Sequence, residues 1–300
     1  MATHYDYIIV GAGSAGCALT NRLSASGEHT VLLLEAGGKD SHPMVHIPLG
    51  FAFTMKNPEF SWCYQSEPEP HMNNRRIDQP RGKLLGGSSS INGMVTSVGD
   101  KYALADMYIQ AATESGIPAN DDFNGENQEG AGFYQVNIRN GLRQSTAKTY
   151  LKPAMERENL TVITGALASR ITFKNRQANG LQYTHNGKSQ YVRCHREIIL
   201  CGGTVNSPQL LELSGVGNPA ILQQHGIKVH TALNGVGENL QDHLTVNTQR
   251  SFMGLKTFYE DSRPLAMLIT FAKLAFQRKG MLVHPASQVG VFFKTDSAES

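Results

Sequence analysis

The 300 residues suffice for two domains with a substantial core, and a composition 40% hydrophobic and 17% charged is that of a soluble globular protein. A formal net charge of +2, with no basic cluster interleaved with aromatics, gives no electrostatic reason to expect nucleic acid as a partner. The four cysteines, Cys17, Cys63, Cys194 and Cys201, form no CxxC pair, so no metal and no thiol redox motif is expected. They read as buried free thiols in a reducing cytosol.

The first element begins almost at once, which leaves no room for a signal peptide and implies a cytoplasmic protein. Tyr5, Tyr7, Ile8, Ile9 and Val10 read as a strand buried on both faces. The turn that follows, Gly11-Ala-Gly-Ser-Ala-Gly16, opens a helix. Gly11 permits the tight turn, Gly13 lets the backbone approach a pyrophosphate, and Gly16 lets the helix pack closely on the strand. The helix N-terminus presents free N–H groups and a positive dipole end to phosphates, with Ser14 and Ala15 in its first turn. Val31-Leu-Leu-Leu34 is the second strand, and Glu35 at its carboxyl end can accept hydrogen bonds from both ribose hydroxyls of an adenosine. Strand, glycine turn, helix, strand and acid together predict a dinucleotide-binding unit.

After Ala36 comes a Pro-, His- and Asn-rich stretch to about Arg81, with the only tryptophan in Phe60-Ser-Trp-Cys-Tyr64. That aromatic cluster is read as packing. A long irregular segment inside a compact protein is functional more often than filler. Next, Gly86, Gly87 and Ser88 open a serine-rich loop through Asn92, Gly93, Met94 and Val95, expected to lead into a helix and to offer a second anion nest. Helical spacing covers residues 104–116 and a short helix is expected from Ser145 to Met155. Strands are expected at Leu160–Thr164 and Ala168–Lys174, with a hairpin around Asn186-Gly187 joining Gly180–Thr184 to Ser189–Cys194. Glu197–Cys201 is a further buried strand. A Ser207-Pro208 helix start follows, then a Ser214-Gly-Val-Gly217 helix end and the polar turn Gly235–His243. Leu265–Phe276 reads as a packed amphipathic helix, too short to span a bilayer, though attachment to a membrane surface stays open.

Four motifs in this order resemble the glucose–methanol–choline (GMC) flavoprotein oxidoreductases over nearly the whole chain. The family's first signature matches Gly82 to Asn92 and its second matches Gly203 to Gly217. Within the family the chain is similar to bacterial choline and aliphatic alcohol dehydrogenases. The resemblance implies an α/β fold with a Rossmann-like three-layer FAD-binding domain, discontinuous in sequence, plus part of an α+β substrate domain with an antiparallel sheet. Residues 1–100, with a lid or extended segment at about 40–80, and residues 156–243 would form the FAD-binding domain. Residues 101–155 would connect them on the substrate side, and 244–300 would begin the substrate domain. Gly11, Gly13, Ser14 and Ala15 would hold the pyrophosphate and Glu35 the adenosine ribose, with Gly16 and Ala36 also on the cofactor-binding side. Ala168 would meet adenine, and Gly86, Gly87, Ser88, Asn92, Gly93, Met94 and Val95 would lie toward the isoalloxazine. Asn239 and Asp242 would sit near the flavin-domain boundary. Ile91 stands where some relatives attach FAD through a histidine, so the FAD is expected to be non-covalent.

Such a site would oxidise a small-molecule alcohol by hydride transfer to flavin N5, the electron acceptor being unassigned. An imidazole suits the general base because its pKa lies near the working pH. The family draws that histidine from near its C-terminus, and none of the eleven histidines here corresponds to it. No catalytic residue is therefore assigned, and His243 and His284 are weak substitutes. The family also carries several dozen residues after Val95 that have no counterpart here. The expectation is a chain incomplete for catalysis, with a non-catalytic flavin-binding protein as the alternative. Cytoplasmic location, with peripheral attachment at the inner membrane left open, completes the reading.

Overall fold

The computed structural model describes residues 3–94, 102–135, 137–251, 253–255, 257–284 and 287–295. It forms two compact units. The first combines Met1–Ser41, Met55–Ile91 and Ser145–Val246, and the second His42–Thr54, Asn92–Gln144 and Asn247–Ser300.

In the first unit, strand β1 (His4–Val10) enters helix α1 (Ser14–Leu23) and then strand β2 (Val31–Leu34). The short strands β3 (Tyr64–Gln65) and β4 (Asp78–Gln79) pair as an antiparallel ribbon. Strands β5 (Leu160–Ile163), β6 (Ala166–Lys174), β7 (Gln177–His185) and β8 (Lys188–Leu200) follow, then helix α2 (Gly203–Leu213). Six of these strands form one sheet in the order β5-β2-β1-β8-β7-β6. The first four are parallel, and β8-β7-β6 is an antiparallel arm.

Alternate residues feed two cores, as a period of two requires. Ile8, Val10, Leu32 and Leu34 face one side with Ile163, Leu181 and Leu210 of α2. Ile9, Val31 and Leu33 face the other with Cys17 of α1, Leu151 and Leu160. All four residues of β2 are buried, which is why this run reads as uninterrupted apolar sequence. Each such side chain contributes about 1.5–3 kcal/mol by leaving water.

Three expected elements differ. Ser189–Cys194 and Glu197–Cys201 are one 13-residue strand, β8. Its first half pairs antiparallel with β7 and its second half parallel with β1, so a change of partner, and not a chain break, separates the two patterns. Helix α2 starts at Gly203, and Pro208 lies inside it. The helix ends as the sequence implies, with Gly215 at φ +86°. The serine loop closes as a short 3-10 turn at Gly87–Ser90, and the next helix among the described residues is Ala103–Glu114. Ser89 and Ser90 each donate to a backbone carbonyl of their own loop, Gly86 at 2.6 Å and Leu85 at 2.8 Å, a local alternative to helical bonding. The hairpin turn holds Asn186 and Gly187 at φ 50° and 71°, the primed geometry that the pair Asn-Gly favours.

The second unit holds the helix Ala103–Glu114, the helix Pro264–Gln277 and an antiparallel pair, Gly130–Phe133 with Val289–Phe292. Phe123, Tyr134 and Phe292 pack around that pair. The helix Pro264–Gln277 buries Thr270 and Leu274, yet leaves Leu265, Leu268, Ile269 and Phe276 exposed. Its packing is therefore one-sided. Among the described residues no helix is long and apolar enough to cross a membrane. All four thiols are free, but only Cys17 and Cys194 are buried; Cys63 is exposed and Cys201 half-buried.

Candidate cofactor site

A cavity of about 780 Å³ opens at the carboxyl ends of the parallel strands. Val10, Leu34 and Leu200 are register partners across β2-β1-β8, and all three line it. In open α/β sheets ligands bind at such an edge.

The glycine turn forms one wall. Gly11 has φ +102°, and a Cβ there would come within 2.5 Å of the Cys201 carbonyl oxygen. A Cβ at Gly16 would run into the Gly11 carbonyl, so α1 can approach the turn only without one. Helix α1 has Gly13 as its N-cap, no side-chain cap and no acid in its first turn. Its leading N–H groups are thus left to a partner outside the helix. Gly13, Ser14 and Ala15 line the cavity beside them.

The serine loop packs backbone to backbone on that turn. The Gly86 N–H donates to the Ala12 carbonyl at 2.7 Å, and a Cβ on Gly87 would stand 2.7 Å from Gly13 Cα. Gly87 and Ser88 line the cavity, with Ser88 Oγ accepting from the Gly82 N–H at 3.1 Å.

Glu35 is 5% exposed. One carboxylate oxygen accepts from the Ala12 N–H and the other from the Gly37 N–H, each at 2.8 Å. Burial outweighs these bonds and pushes its pKa up to about 7. Each oxygen keeps a further lone pair for a donor in the cavity.

Nine expected residues thus meet in one cavity: Gly11, Gly13, Ser14, Ala15, Glu35, Ala36, Gly87, Ser88 and Ala168. Gly16 and Gly86 stand behind the lining, where they allow close backbone packing. Asn92, Gly93 and Met94 belong to the second unit. There Asn92 Oδ1 accepts from the Arg143 guanidinium at 2.6 Å, and Met94 is buried with φ 46°. Val95 lies outside the described residues. Asn239, Asp242 and His243 are exposed and do not line the cavity, and His284 is buried beside Tyr102 and Phe258.

Two walls escape sequence reasoning. Trp62, Tyr64, Arg81 and Gly82 come from the irregular segment, so its aromatics face the cavity and are not mere packing. The start of α2 supplies Gly203, Thr204 and Asn206. Like α1, that helix has neither a side-chain cap nor an acid in its first turn. The available signal was Gly202-Gly203 directly after an apolar strand, the same grammar as the first turn.

These residues fit an ADP-containing dinucleotide: paired backbone nests for a pyrophosphate, a buried acid for a ribose, and room for a purine. A family model described as GMC oxidoreductase matches residues 5–102 and 95–245. The chain belongs to the GMC oxidoreductase family. Members of this family are FAD-dependent flavoproteins. The oxygen-dependent choline dehydrogenase of Photobacterium profundum is 41% identical over 302 residues, covering 83% of this chain and 53% of that protein. The alcohol dehydrogenase [acceptor] of Pseudomonas putida is 39% identical over 350 residues, covering 97% and 63%. Among solved structures, the Aspergillus oryzae formate oxidase superposes with a TM-score of 0.82 at 21% identity, over 96% of this chain and 61% of that one, and shares the fold. The pyridoxine 4-oxidase from Mesorbium loti gives 0.71 at 26%, over 76% and 55%. The GMC chain therefore spans between about half and three-fifths of the length of these relatives. An alignment of 350 positions also exceeds its 300 residues, so at least 50 positions face a gap, and the two matched stretches meet at residues 95–102.

Proposed function

We propose that the first unit binds FAD without a covalent link, as the cofactor half of an enzyme that oxidises primary alcohols of the choline or aliphatic type. One observation carries this reading: Glu35, the Gly11–Gly13 turn and the Gly87–Ser88 turn line a single cavity at the sheet's carboxyl edge. The uncapped start of α1 and the N–H groups around Gly13, Ser14 and Ala15 hold the pyrophosphate, and Gly16 lets that helix close on the turn. Glu35 accepts from the adenosine ribose, with Ala36 and Ala168 on the adenine side. Gly86, Gly87 and Ser88 of the same unit serve the flavin end. Ile91 is 2% exposed and offers no nucleophile for a covalent link. FAD, when bound, supplies the hydride acceptor for the alcohol carbon.

The alcohol proton must pass to a base, and among the described residues no histidine lines the cavity. Without such a base these 300 residues are expected to turn over little or no alcohol, and with at least 50 aligned positions facing a gap they are expected to bind FAD weakly. Titrating purified protein with ADP and FAD, then adding choline or 1-octanol with an artificial electron acceptor, tests both parts. A yellow protein that reduces the acceptor with an alcohol would overturn the inactivity.

The same observation supports a second reading, a flavin-binding protein without catalysis. Its mark is flavin absorbance that no alcohol bleaches under anaerobic conditions, even with a C-terminal segment from a relative supplied.

A further inference from the structure

The two ends of the segment between Phe60 and Gly82 line one side of the cavity, through Trp62, Tyr64, Arg81 and Gly82, and the segment is held at three levels. Its backbone is stitched by the β3-β4 ribbon and by the Trp62 N–H donating to Arg81 O at 2.9 Å. Its aromatic rings are stacked: Trp62 lies on Tyr64 at 5.8 Å and 6° between planes, with Lys83 Nζ 4.9 Å from the Trp62 ring. A side-chain hydrogen bond then joins it to α2, from the Tyr64 hydroxyl to Asn206 Oδ1 at 2.7 Å, 142 residues away in sequence. Trp62, Tyr64 and Asn206 all line the cavity.

Burial raises the Tyr64 pKa, so the phenol keeps its proton at neutral pH and is the donor. Accepting at Oδ1 fixes which way the Asn206 amide is turned, and its two Nδ2 hydrogens stay available to the cavity that Asn206 lines. The same bond thus bridges two walls and orients a donor between them.

We propose that Tyr64 and Asn206 form a latch across the dinucleotide cavity. The bond holds the Phe60–Gly82 strap against α2, and its opening is the step that lets the dinucleotide enter and leave. This rests on the dinucleotide reading above and adds the gate to it.

Trp62 is the only tryptophan, so its fluorescence reports the strap alone. Tyr64→Phe keeps the stacked ring and removes only the hydroxyl; Asn206→Ala removes the acceptor. In unliganded protein both variants are expected to raise acrylamide quenching of Trp62. In FAD-loaded protein both release FAD about three- to tenfold faster, the scale of one hydrogen bond, and the double variant is no faster than either single one. Trp62 quenching equal to wild type in both variants overturns the latch. Increased quenching with an unchanged FAD release rate overturns the gate while leaving the dinucleotide reading intact. Wild-type protein that takes up neither FAD nor ADP overturns that reading and the gate together.

Discussion

Gly13 and Gly16 stand three residues apart, yet a methyl group at each meets different things. At Gly16 it collides with the Gly11 carbonyl and lies 3.3 Å from Cys201 Cβ. At Gly13, with φ −79°, it meets only Cys201 O at 3.9 Å. Gly16→Ala should therefore cost about 2–4 kcal/mol of stability, whereas Gly13→Ala should fold normally and bind ADP at least about tenfold more weakly. Thermal melts with and without ADP separate the two. Glu35 adds a pH dependence. Its folded pKa of about 7 is above the ordinary value of 4.5, with burial as the largest cause. The stability it contributes is fully present below about pH 4.5 and is lost as pH rises through 7, a change of roughly 3 kcal/mol. Denaturant titrations of the unliganded protein at pH 5 and pH 8 should show this loss, and Glu35→Gln should remove most of it. ADP affinity should run the opposite way, strengthening as the carboxylate forms, because the ionised group accepts from both ribose hydroxyls. An affinity flat from pH 5 to pH 8 would take Glu35 out of the ribose site.

At the scale of elements, Arg143 shows how one side chain can hold a unit together. It is 1% exposed, and its guanidinium donates to Val45 O at 3.0 Å, Pro48 O at 3.3 Å and Asn92 Oδ1 at 2.6 Å. Burial lowers its pKa to about 10, which leaves it charged at neutral pH. Arg143→Met strands these acceptors and should destabilise the second unit by about 2–4 kcal/mol, since hydrogen bonds to charged groups are the stronger kind. Hydrogen exchange should quicken at 42–54 while β1 and β2 keep their protection; equal loss in both would refute a local role. Nothing in the sequence marks Arg143, whose partners come from segments about fifty and a hundred residues away. Strand β1, helix α1 and strand β2 were legible because their signals are local: apolar runs, glycines at fixed offsets, an acid at a strand end. Strand β8 reads as two in the sequence because its partner changes midway, which no period records. The start of α2 lies at Gly203 and not at Ser207-Pro208 because the tertiary context overrides Ser-Pro, a strong local start signal. The aromatic wall of the strap leaves no such mark for a related reason: its two-residue strands are held by pairing across the segment, not by periodicity. Thus nine cavity residues were readable, while the aromatic wall and α2 depend on where the chain returns.

For the whole molecule, the helix Pro264–Gln277 sets a limit on how the 300 residues behave alone. Its outward positions Leu265, Leu268, Ile269, Ala272 and Phe276 fall at helical spacing on one face, with Phe276 at 88% exposure and Leu265 at 74%. Apolar stripes of this kind mark surfaces that other matter covers. The chain covers only 53% and 63% of these two relatives, and the alignment leaves at least 50 positions without a counterpart here. Purified protein should therefore self-associate with rising concentration, as read by sedimentation velocity. Leu268→Glu with Phe276→Glu should weaken that association at least about tenfold, because charge on the stripe penalises its burial. Neither residue lines the cavity, so ADP affinity should not change. Parent and variant sedimenting alike would clear this face of the association. Loss of ADP binding in the variant would show that the two units depend on one another, against the separate roles assigned to them here.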